Sequence, residues 1–89
     1  MERRIRMPEG AANLLYEKME AMATSRAALM VRLPPEVTEE EAREYYDGAF
    51  NRFVLAGVDF RRYELSLMQS LGVTSYIRTE GMDMIVGEE

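Results

Sequence analysis

The chain has 89 residues, 47% of them apolar and 30% charged, and it contains neither histidine nor cysteine. That absence excludes disulfide frameworks, thiol nucleophiles, imidazole bases, and the zinc and haem sites that those side chains build. Eleven basic against 16 acidic residues leave a formal net charge of −5, which opposes non-specific binding to phosphate backbones unless the positive charges are gathered on one face.

A chain of this length makes one domain, residues 1–89, and buries only roughly 60–65% of its unfolded surface. With no disulfide or cysteine-bound metal to staple so thin a core, stability has to come from well-packed helices or from self-association. A homo-oligomer, most simply a dimer, is therefore expected. The eight methionines fit either an adaptable core or an interface that repacks. No apolar stretch reaches the ~18 residues of a membrane-spanning helix, and Met1–Arg6 is basic without the apolar run of a signal peptide. A cytoplasmic protein with no membrane partner is expected.

In chain order, residues 1–7 read as a basic N-terminal arm, carrying Arg3, Arg4 and Arg6, that frays by default. Pro8 and Glu9 suit the first turn of a helix, and Ala11, Leu15, Met19, Met22 and Ala23 continue it at three- and four-residue spacing. Ala27–Leu33 reads either as further helical turns to about Arg32 or, from the alternation of Leu29, Val31 and Leu33, as a short strand. The composition leans towards helix. Pro34-Pro35 ends whatever precedes it.

Thr38 followed three residues later by Glu41 is a capping box, with Glu39, Glu40 and Glu41 at the positive end of the helix dipole, so a second helix starts at Thr38. Its apolar positions, Ala42, Tyr45, Tyr46, Ala49, Phe50, Phe53 and Val54, run out near Ala56-Gly57. Asp59 is placed to cap a third helix through Phe60, Tyr63, Leu67, Met68 and Leu71, ended by Gly72. Beyond it Tyr76, Ile77, Met84, Ile85 and Val86 flank a glycine-containing turn and predict a β-hairpin. A lone hairpin is marginal in water, so this one must pack on the helices or pair with another strand. Residues 87–89 read as a loose acidic tail. The fold class that results is α+β, mainly α: three helices with a C-terminal β-hairpin. With Ala27–Leu33 taken as a strand, the element order is that of a winged helix.

No spacing identifies a general base, nucleophile, phosphate loop or cofactor motif. The carboxylates Glu39, Glu40, Glu41, Glu44 and Asp47 are explained by the helix start rather than by a cation. Glu64 and Asp47 are the carboxylates nearest an apolar face, and each is expected at its exposed edge. By elimination the expected function is non-enzymatic: a small interaction or regulatory module that contacts itself and an unidentified protein, with no cofactor. Tyr16, Tyr45, Tyr46 and Tyr63 are the candidate partner-binding residues wherever they stand exposed, since tyrosine suits half-wet interfaces. The alternative is a winged-helix-like DNA-binding regulator using Arg61, Arg62 and Arg78. A third reading is a small acidic antagonist, of the kind encoded by viruses or mobile elements, that displaces nucleic acid from a basic partner.

Overall fold

The computed structural model describes residues 1–87. Strand β1 (Glu2–Arg6) leads into helix α1 (Glu9–Leu29), which is followed by the long helix α2 (Glu39–Leu71) and the hairpin β2 (Arg78–Glu80) and β3 (Asp83–Gly87). The two helices form a hairpin, and the three strands an antiparallel sheet of order β1-β3-β2 at one end of it.

The expected mainly-α architecture with a C-terminal hairpin is present, but it has two helices rather than three. Residues 39–71 are one continuous helix that runs through Gly57 and Asp59. A glycine inside a helix costs only about 1 kcal/mol relative to alanine. Phe53, Ala56 and Phe60 keep the helical spacing across it, and all three are half-buried. Asp59 caps nothing; it accepts from Lys18 Nζ on α1 at 2.7 Å.

Helix α1 ends at Leu29, short of Arg32, and residues 31–34 form no strand, so the winged-helix order is absent. Met30 N–H donates to Ala27 carbonyl in a tightened last turn, and the chain then runs to Pro34-Pro35 without regular structure. The Thr38 cap is as expected, its hydroxyl accepting from Glu41 N–H at 3.1 Å. Gly72 closes α2 in the left-handed region, φ 71°, and Val73 N–H returns to Met68 carbonyl at 2.9 Å.

The N-terminal arm is not frayed. Glu2–Arg6 pairs antiparallel with β3 along its whole length, Ile5 opposite Met84 and Arg4 opposite Ile85. This strand supplies the extra pairing that the hairpin requires, from the same chain. Gly87, expected in a loose tail, is the last residue of β3, and Glu88 and Glu89 lie outside the described residues.

Alternation along the strands gives the sheet two unlike faces. Ile5, Met84 and Val86 turn towards the helices, where Met7, Ala12, Leu15, Leu67, Met68, Val73 and Met84 form the core. The opposite face carries Glu2, Arg4, Arg78, Glu80 and Asp83 around Ile85, which is nonetheless only 1% exposed. Arg4 reaches over β3 to Glu80 at 2.8 Å, and Arg78 reaches over it the other way to Glu2 at 3.0 Å. These crossing side chains roof Ile85 with their aliphatic stems, as long cationic side chains do.

Candidate interaction surface

The four tyrosines do not share a face. Tyr45 and Tyr46 sit where the helices are joined, edge-to-face with ring centroids 5.3 Å apart. Their hydroxyls donate to Ala28 carbonyl at 3.1 Å and Val31 carbonyl at 2.7 Å, satisfying acceptors at and just beyond the end of α1. Tyr16 and Tyr63 lie towards the sheet, donating to Gly81 carbonyl at 2.6 Å and Ala11 carbonyl at 3.1 Å. All four rings are half-buried and each hydroxyl is bonded within the chain. They tie α1 to its neighbours.

Arg61 and Arg62 lie on α2 and Arg78 on β2. Arg78 is committed to Glu2 and approaches Glu80 at 3.6 Å. Arg61 donates to Glu64 one turn on, and Arg62 is exposed. Arg61 lines one pocket with Ile77, the neighbour of Arg78.

Glu64 corrects the expectation of an exposed carboxylate: it is 7% exposed, the one buried charged residue among those described. One carboxylate oxygen accepts from Arg61 Nη1 and the other from Tyr76 Oη at 2.5 Å, so both are satisfied. Burial, reinforced by the hydrogen bond to Glu64, pushes the Tyr76 phenol far above its usual range. The sequence could not reveal this pairing because Tyr76 reaches Glu64 only when the segment after Gly72 folds back on α2. Asp47 is exposed, as expected. Among the described residues no three acidic side chains gather to hold a metal ion, and no helix is long and apolar enough to cross a membrane.

The feature that sequence reading missed is an uncovered apolar ridge. Phe50, Val54, Val58 and Leu65 on α2 are 55%, 43%, 44% and 47% exposed. At 100° per residue they fall within an arc of about 80°, away from the residues packed against α1. Phe50 and Val54 share the apolar periodicity of the buried positions, but one facing helix cannot cover so wide an arc. A separate groove of about 350 Å³ is lined by Phe53 on α2 and by Met22, Ala23, Arg26, Ala27 and Met30. Towards this distal end the only buried side chain on α2 ahead of Glu64 is Ala49.

No protein-family model, curated protein or solved structure matches this chain.

Proposed function

We propose that the chain is a non-enzymatic interaction and regulatory module that acts in the cytoplasm through protein–protein contacts and self-association. The observation that carries this reading is the apolar ridge Phe50-Val54-Val58-Leu65. Exposed apolar side chains grouped on one helix face are the kind of surface that marks an interaction site.

The dimensions support it. The Cα radius of gyration is 17.3 Å, with extents of 54 × 23 × 21 Å, where a compact monomer of this length has about 12 Å. The accessible surface is 6611 Å², against about 5,400 Å² for a folded monomer of the same mass. The surplus, roughly 1,200 Å² per chain and so about 2,400 Å² for two, falls in the range of obligate homodimer interfaces.

The test is the solution mass across a range of protein concentrations at two salt concentrations, with and without a random-sequence DNA duplex. An oligomer that ignores DNA is the expected result. A monomer at every concentration overturns self-association, and binding to DNA that weakens steeply with salt transfers the function to the arginines.

A further inference from the structure

Between Asp47 and Arg61 the spacing along the ridge is the same in both directions. Asp47, Phe50, Val54, Val58 and Arg61 follow one another at spacings of three, four, four and three residues, with Val54 at the centre. At 100° per residue all five lie within about 80° of one another. Asp47 and Arg61 are both exposed, each about 10.5 Å along the helix axis from Val54.

We infer that a second copy of this chain covers the ridge, α2 against α2 and antiparallel, with the two-fold axis at Val54. This rests on the self-association reading above and gives it a geometry. Pairing about that axis sets Val54 against the partner's Val54, Phe50 against the partner's Val58, and Asp47 against the partner's Arg61. Because a two-fold contact uses the same patch twice, the charge pair forms at both ends. A parallel arrangement in the same register would set Asp47 against Asp47 and Arg61 against Arg61, which repel. Glu64 takes one terminal nitrogen of Arg61, whose side chain remains 62% exposed, so its remaining donors face the partner. Rows of residues three apart on one helix packed into grooves between rows four apart on the other cross at only about 20°, which keeps both ends of the pairing in reach.

The chain has no cysteine, so single introduced cysteines report geometry directly. Under mild oxidation Val54→Cys is expected to cross-link into a covalent dimer. Phe50→Cys and Val58→Cys are expected to stay uncross-linked alone and to link to each other when mixed. Asp47→Arg faces Arg61 twice and is expected to weaken dimerisation at least tenfold by sedimentation with unchanged helicity by circular dichroism, whereas Asp47→Glu retains it. If the unmodified chain is dimeric but Val54→Cys does not cross-link, or Asp47→Arg dimerises normally, this geometry is overturned while self-association stands. If the unmodified chain is monomeric throughout, both fall together.

Discussion

Arg78 on β2 and Glu2 on β1 meet across the strand that separates them, through two N–H···O bonds of 3.0 Å. Together with Arg4–Glu80 they make the outer face of the sheet a charged cover over an apolar residue. Bidentate pairing of this kind fixes geometry as well as adding attraction.

The pair sets an acid dependence. The hydrogen bonds from Arg78, and then its positive charge, hold the Glu2 carboxyl below the usual glutamate value. The folded chain therefore binds this proton more weakly than the unfolded one. Its contribution is complete above the unfolded-state value and is lost as the pH falls through the lower folded value. Thermal midpoints measured from about pH 6 to pH 2 should fall less steeply for Glu2→Gln than for the unaltered chain. Parallel curves would show that the clasp does not stabilise the fold.

Tyr76 sets an alkaline dependence of the opposite sign. Its phenol titrates above the unfolded-state value of 10.0, so its contribution is present below that pH and disappears as the pH rises towards the folded value. Tyr76→Phe should lessen the loss of stability above about pH 10. At neutral pH it should cost about 1–3 kcal/mol in denaturant unfolding, because one oxygen of the buried Glu64 is left without its donor. Glu64→Gln combined with Tyr76→Phe should cost less than the sum of the two single changes.

Gly57 tests the continuity of α2. A Cβ built there comes no nearer than 4.0 Å, to Met22 Sδ, which is ordinary contact. Gly57→Ala should therefore raise stability by up to about 1 kcal/mol through helix propensity. A turn between two helices at this point would be destabilised by the same change, and a lowered unfolding midpoint would count against a single helix.

The N-terminal strand should be indispensable. Removing residues 1–6 uncovers the edge of β3 and one side of Met84, which is fully buried, leaving a two-stranded hairpin of marginal stability. The shortened chain should lose its cooperative unfolding transition, read by near-ultraviolet circular dichroism. A retained transition would show that the arm is an accessory.

The tyrosines predicted to meet a partner should behave as internal ties. Tyr45→Phe and Tyr46→Phe should each lower stability by about 0.5–1.5 kcal/mol, the net worth of a hydrogen bond. Neither should change the solution mass, because the rings lie at the helix junction rather than on the Phe50–Leu65 ridge.

The sequence by itself determined those features whose cause is local. Thr38 with Glu41 starts α2, Gly72 in the left-handed region ends it, Pro34-Pro35 limits α1, and the glycine turn at Gly81, φ 58°, makes the hairpin. Each depends on residues within a few positions of one another, and so on backbone chemistry that a single stretch displays.

Only the tertiary structure decided the rest. Gly57 and Asp59 carry a local signal to stop, but packing against α1 and the Lys18–Asp59 pair outweigh a break costing about 1 kcal/mol. Residues 1–7 have the composition of a frayed arm, and Glu2–Arg6 becomes a strand because β3, some 80 residues on, offers it an edge. Glu64 is buried because Tyr76 folds back upon it. The periodicity of Phe50, Val54 and Val58 announces an apolar face without saying what covers it, because burial is a property of the neighbours a residue acquires, and those are set by the whole chain.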